Sequence, residues 1–311
     1  MPSNNPRGRA AVLRALAIFV AAPFVLLFSI PSSGQTAAHD RAFWQAIAKN
    51  KYNVPEHESA DVLAREVSGL LASPDPELRD DLAYSIYVRW IYRNYISPPT
   101  LIALTDEWRA NLKDGIGESG TNSVLKRSFS ALCLSVMAER EAKTPFMGEA
   151  RYHQLVGDAI TYLQSERDLR GYDSKVGWIH ANAHTADLLQ GLAHSPLLTK
   201  EEQEKILTAI ATRLSTAPDV YIQGEQDRMA AAIVAVIRLP SVDAAAFNAS
   251  LTQIDEEDKQ VWANPLTPQT LARYQNHTYF LQALAVRLSL EADSPRVTDF
   301  KGRVLGILKT R

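Results

Sequence analysis

Apolar residues recur along this chain at intervals of three and four. Leu78, Leu82, Ile86 and Trp90 form one such series, and Leu155, Ala159 and Leu163 form another. This spacing lines one face of a helix with about 3.6 residues per turn. Strict alternation, the mark of a half-buried strand, is nowhere convincing. The pattern predicts helices over about 57–71, 77–95, 98–113, 121–142, 148–169, 176–194, 199–216, 224–238, 242–258, 267–290 and 295–309. Prolines punctuate them at Ser73-Pro-Asp-Pro76, Ser97-Pro-Pro99, Thr144-Pro145, Ser195-Pro196, Leu239-Pro240 and Ser294-Pro295, where the ring blocks one helix and suits the first turn of the next. Arg170-Gly171 reads as a different stop, with Gly closing a helix in the left-handed conformation and Arg170 near its negative end. Such short connections favour antiparallel neighbours. The expected fold is all-α, with antiparallel helix pairs of about 40 residues forming an α-solenoid-like or curved double-layer domain. A compact irregular bundle is the alternative.

The first 38 residues depart from this pattern. Arg7, Arg9 and Arg14 precede an apolar run from Ala15 to Ile30, and the small residues Ser32-Ser33-Gly34 and Thr36-Ala37-Ala38 follow. That is the layout of a secretory signal. The run falls short of the ~20 residues that span a bilayer and contains Pro23, so an uncleaved anchor is the second reading. The expected organisation is therefore a signal peptide or N-terminal membrane anchor over 1–38, a linker over 39–56 and a single helical domain over 57–311. Export to the periplasm or the medium follows, with a single N-terminal anchor as the alternative. Cys133 is the only cysteine, so no internal disulfide can form, and its apolar surroundings predict a buried thiol.

Charge narrows the partners. Thirty-three Lys and Arg against 35 Asp and Glu give a formal charge of −2, without the basic footprint that nucleic acid requires. Membrane contact is expected only through the N-terminal segment. A small molecule or a peptide fits this composition as a partner.

The segment from Gly177 to His194 carries one formal charge, Asp187, and places polar groups where an exposed helix would carry Lys and Glu. At roughly 100° per residue, His184 lies about 40° and Asp187 about 20° from His180 around a helix axis. Two imidazoles four residues apart and a carboxylate one turn later can reach one divalent ion such as zinc. Zinc peptidases need a Glu after the first His, and Ala181 stands there. In the structural alternative, the two imidazoles bond to neighbouring groups and Asp187 pairs with an Arg. His194 continues the stripe but sits before Ser195-Pro196, as a helix-end group would. Glu225 opens an apolar helix, where the dipole favours it, and Arg228 can pair with Glu225 or Asp187. No G-x-S-x-G elbow or phosphate-binding glycine loop is present. Asp80 and Asp81, and Glu256 and Glu257, read as solvated carboxylates.

Five blocks together resemble the bacterial domain of unknown function 2785 family. They are Leu78-Arg-Asp80, Arg127-Ser-Phe-Ser130, Glu166-x-Asp-x-Arg-Gly-Tyr172, Gly177-Trp-x-His-x-x-Ala-His-x-x-Asp187 and Gly224-Glu-x-x-Arg228. The resemblance spans roughly residues 60–290, and the Gly-Trp-x-His block is its specific part. Thr185 departs from the Gly often found there, which bears on how closely another backbone can approach. The resemblance implies a helical fold and no established activity. It nominates Arg127, Asp168, Arg170, Tyr172, Trp178, His180, His184, Asp187, Glu225 and Arg228 as residues that meet in space. Three readings follow. One is a binding or scaffold module with a polar pocket around His180 and His184. Another is a metal-dependent hydrolase with His180, His184 and Asp187 as ligands and Glu225 or Asp168 as general base. The last is a buried polar network with a purely structural role. Any site is expected between the His-bearing helix, the Arg170-Gly171-Tyr172 corner and the helix that begins near Glu225.

Overall fold

The structure, a computed structural model, describes residues 39–311; the signal or anchor expected over 1–38 lies outside the described residues. Helices dominate: α1 (Arg41–Lys49), α2 (Ala60–Val67), α3 (Ser85–Tyr92), α4 (Pro98–Asn111), α5 (Ser123–Lys143), α6 (Glu149–Ser165), α7 (Ala181–Leu192), α8 (Lys200–Thr216), α9 (Glu225–Arg238), α10 (Ala244–Ala263), α11 (Pro268–Ser289) and α12 (Pro295–Leu308). A 3₁₀ turn over Ser68–Ala72 extends α2, and a π-helical segment over Glu77–Tyr84 runs into α3. None of these helices is long and apolar enough to cross a membrane.

The helices stack in two layers. In one, α3, α5, α7, α9 and α11 each pack on the next, and in the other α6, α8, α10 and α12 do the same. Sequence neighbours such as α4 and α5, α6 and α7, or α11 and α12 join the layers. This is the double-layer arrangement that short connections between apolar-faced helices favour. Its centre is α9, where every residue from Met229 to Ile237 is buried, because neighbours on several sides leave no solvent face. Small residues permit the close stacking. Ala181, Ala183 and Ala186 are buried in α7, and a Cβ on Gly191 would stand 3.0 Å from the Ser135 carbonyl oxygen of α5.

Local chemistry sets the boundaries. Asp40 caps α1 through the Phe43 amide, Thr199 and Glu202 form a reciprocal capping box at α8, and α4, α11 and α12 open on proline. Each device satisfies amides that have no partner inside the first turn, or removes one of them. Cys133 is fully buried, and burial pushes its thiol well above the ordinary range.

Three expectations need correction. The linker expected over 39–56 contains α1, whose Trp44 and Ile47 are buried in the core; their three-residue spacing puts both on one face of a short amphipathic helix. Residues 176–180 are not helical. Tyr172–Asp173 pairs antiparallel with Gly177–Trp178 in a small hairpin, although no strand was expected. Its turn forms because the Asp173 carboxylate accepts from the Lys175 and Val176 amides and Gly177 adopts φ +73°, the left-handed region glycine enters at no steric cost. Finally, α6 ends at Ser165, so the Arg170-Gly171 pair does not close it.

Candidate functional site

The connection from α6 to α7 builds a rigid corner, and a buried ion pair holds it. Arg127 of α5 meets Glu166 through two parallel bonds, Nε to Oε2 at 2.7 Å and Nη2 to Oε1 at 3.1 Å. Both side chains are essentially inaccessible. Their remaining bonding capacity is largely used: Glu166 Oε1 accepts from the amides of Arg167 and Asp168, while Arg127 Nη1 donates to the Asp114 and Gly115 carbonyls. Arg213 Nη2 donates to the Glu166 carbonyl at 2.9 Å. Asp168, also buried, accepts from the Gly120 amide and from Arg170 Nε and Nη2. The Asp168 carboxylate raises Arg170 above its ordinary value.

Beyond this corner the hairpin carries a row of rings. Tyr172 meets Trp178 edge to face at 5.1 Å between centroids, Trp178 stacks on His180 at 4.8 Å, and His180 meets His184 edge to face at 5.7 Å. Tyr172 and Trp178 are the exposed members. His180 is not on the helix with His184, because it takes a left-handed backbone (φ 49°, ψ 32°) one residue before α7. Its amide bonds to the Arg170 and Gly171 carbonyls, which fixes this uncommon conformation for a side-chain-bearing residue. The rings of His180 and His184 still meet, by a different geometry from the expected helical stripe.

His184 is held in one tautomer. The Ser128 hydroxyl donates to the Ile179 carbonyl, so its oxygen must accept from His184 Nδ1, 2.8 Å away. Nε2 then carries the lone pair. Burial, aided by the neighbouring His180 and Arg228, pushes His184 well below its ordinary value and keeps it neutral. Asp187 is paired as the structural reading expects, with Arg228 Nη1 at 2.8 and 2.7 Å from its two oxygens. Burial raises the Asp187 carboxyl while Arg228 lowers it, and burial prevails. This pairing removes the third ligand of the expected divalent-ion site. Among the described residues no three His, Cys, Asp or Glu side chains are placed to hold an ion. His194 sits apart, bonded to Glu139 at 2.6 Å.

Glu225 occupies the first turn of α9 and is 1% exposed. Its Oε2 accepts from the Gln223 amide at 3.0 Å, but its Oε1 makes no hydrogen bond. His180 Nε2 lies 3.4 Å from Oε1 and closer, at 3.2 Å, to the Gln223 carbonyl. Burial works to raise Glu225, yet the His180 ring and the backbone amides outweigh it and hold the carboxyl below its ordinary value. The approach depends on Gly171, where a Cβ would stand 2.4 Å from Gln223 Oε1 and 2.9 Å from Glu225 Oε1.

These groups form the wall of an open cleft of about 550 Å³ between the corner and the loop that joins α8 to α9. Of the ten nominated residues, Asp168, Arg170, Tyr172 and Glu225 line it. His180 backs Glu225 and Trp178 covers His180. Arg127 holds the corner from behind, and His184, Asp187 and Arg228 do not line the cleft. Sequence reasoning missed Gly120, Asp219, Tyr221, Ile222 and Gln223, which also line it. The signal available was the long connections on either side of α7 and α8, since functional groups concentrate on loops held by rigid scaffolds.

Asp80 also departs from expectation. Its side chain is 22% exposed and lies 2.8 Å from Arg79 Nε, although neither atom is aligned for a hydrogen bond. Burial pushes its carboxyl to about 6, against the pull of Arg79. Arg79 is wholly buried, donates to the Val176 and Trp178 carbonyls of the hairpin and lies over Phe129, which meets the His184 ring. The helix carrying Asp80 is thus joined to the corner. Asp81 is exposed, as expected, and so is Glu256, which pairs with Lys259.

No curated protein and no solved structure matches the chain. A family model described as "Protein of unknown function (DUF2785)" matches residues 112–286, which include the corner, the hairpin, α7 and the start of α9 and leave out Leu78-Arg-Asp80. The match covers more than half of the sequence, and the chain belongs to the DUF2785 family of proteins of unknown function.

Proposed function

We propose that this protein is an exported binding module that takes a small polar ligand, or the end of a peptide, in the cleft between the Arg167–Tyr172 corner and the 218–225 loop. The observation that carries this reading is Glu225. A buried, charged carboxylate with an oxygen that makes no hydrogen bond and has His180 Nε2 only at 3.4 Å costs stability, and such a cost persists where a ligand group satisfies the atom. The surroundings suit a binding site. Asp168, Arg170 and Glu166 are locked by one another, so the polar wall keeps its geometry without a ligand, and preorganisation of that kind reduces what binding must order. Exposed Tyr172 and Ile222 add apolar surface, as ligand pockets require. Export rests on the basic, apolar and small-residue order of the first 38 residues.

Ser119 stands exposed on the cleft lining between Glu118 and Gly120, whose backbone groups bond to Arg127 and Asp168, so Ser119→Trp is expected to fill the cleft while the side chains of the buried network keep their own partners. A thermal-shift screen of small polar compounds and short peptides against the full chain is the test. Ligands at about a hundred times their Kd stabilise by about 2.7 kcal/mol, and Ser119→Trp is expected to abolish that shift. A full chain that responds to nothing, or ligands that stabilise Ser119→Trp equally, would overturn the proposal.

A further inference from the structure

The unsatisfied oxygen of Glu225 also constrains what the ligand is. We propose, resting on the binding reading above, that the cleft receives a cationic head, a primary ammonium or a guanidinium on a short stem, with Glu225 Oε1 as its acceptor. Three observations carry this. First, Glu225 Oε1 makes no hydrogen bond, with His180 Nε2 at 3.4 Å, and an acceptor on a charged group bonds strongest to a donor that is itself charged. A neutral hydroxyl adds no positive charge to the partial compensation that His180 Nε2, 3.4 Å from Oε1, gives the buried carboxylate.

Second, the other charges in the cleft are already committed or favour a cation. Asp168 and Arg170 neutralise each other, and Arg170 Nη2 also donates to the Thr121 carbonyl. Asp219 lines the cleft, is exposed, and forms no ion pair among the described residues. Arg167 opposes a cation but is exposed at the rim, where solvent and salt screen it. Third, the walls suit a stem. Tyr172 is 55% exposed and Ile222 76% exposed, offering a ring face for a cation and apolar area for methylenes.

Titration calorimetry on the full chain decides this, with agmatine and 1,4-diaminobutane as cationic probes and 1,4-butanediol and glucose as neutral ones. The cations are expected to bind at least tenfold more tightly than the diol, and Glu225→Gln is expected to weaken them by at least tenfold. Free amines and peptides are told apart by a further arm, in which a tripeptide ending in arginine is compared with agmatine. Neutral probes that bind as tightly as the cations, or a folded Glu225→Gln protein that binds cations undiminished, would overturn the cation assignment. If Glu225→Gln does not fold, the cation preference of the wild type and its loss in Ser119→Trp decide the matter alone. Neutral ligands excluded by Ser119→Trp would leave the cleft reading standing while sinking this one, whereas ligands indifferent to Ser119→Trp would sink both.

Discussion

Gly171 and Glu225 sit so close that a Cβ on Gly171 would stand 2.9 Å from Glu225 Oε1. The glycine is there for this approach and not for its backbone freedom, since its φ is not positive. Gly171→Ala must displace the carboxylate or the Gln223 side chain, at an overpacking cost of about 1–3 kcal/mol. The expected outcome is a folded protein with a modestly lower Tm and little ligand uptake, measured by melting and by calorimetry. Full uptake in Gly171→Ala would show that the position of Glu225 does not matter to binding.

Arg127 and Glu166 should behave as a unit. Removing Arg127 alone leaves a buried carboxylate without its counter-charge, which costs about 3–5 kcal/mol. Arg127→Met and Glu166→Gln are therefore expected to be less than additive in urea unfolding, with a coupling of about 1–3 kcal/mol. Strict additivity would mean that the pair does not hold the corner.

Asp80 and His184 pull the pH dependence of stability in opposite directions. Asp80 has its carboxyl raised from an ordinary 3.8 to about 6, so the folded protein keeps a proton that the unfolded chain releases. That contribution is complete below pH ~4 and lost as pH rises through 6, a cost of roughly 3 kcal/mol at neutral pH. His184 is held below its ordinary 6.5, so the unfolded chain gains a proton that the folded protein refuses, and stability falls as pH drops below 6.5. Asp80→Asn should gain on the wild type as pH rises from 4 to 7, and His184→Gln should gain on it as pH falls from 7 to 5. Urea unfolding across this range checks both, and curves parallel to wild type would contradict them.

Metal should not matter to this site. Both oxygens of Asp187 are engaged by Arg228, and His180 Nε2 carries the proton that it donates to the Gln223 carbonyl, which leaves no lone pair there for an ion. Chelator and added zinc are expected to leave the Tm unchanged, by differential scanning fluorimetry. A chelator-sensitive Tm would restore the metal reading.

Much of the layered fold was legible because buried helix faces impose a period on the sequence. The start of α7 was not. Trp178, Ile179 and His180 fit a helical pattern, but the Arg170 and Gly171 carbonyls capture the Ile179 and His180 amides, a tertiary bond that no local pattern carries. The same holds for α1, whose Trp44 and Ile47 matter only once the core they enter exists. The residue blocks located the corner and Glu225, yet local spacing had grouped His180 with His184 and Asp187. In the structure His180 also belongs with Glu225, across the gap between two loops. Asp219, Ile222 and Gln223 had no motif to mark them, because their part is set by where their loop lies.

The most direct test is a crystal structure of the full chain with the tightest ligand from the cationic and neutral series. The expected result is a ligand in the cleft with a donor at hydrogen-bond distance from Glu225 Oε1, between Tyr172 and the 218–225 loop. A ligand bound elsewhere, or an empty cleft at saturating concentration, would contradict it.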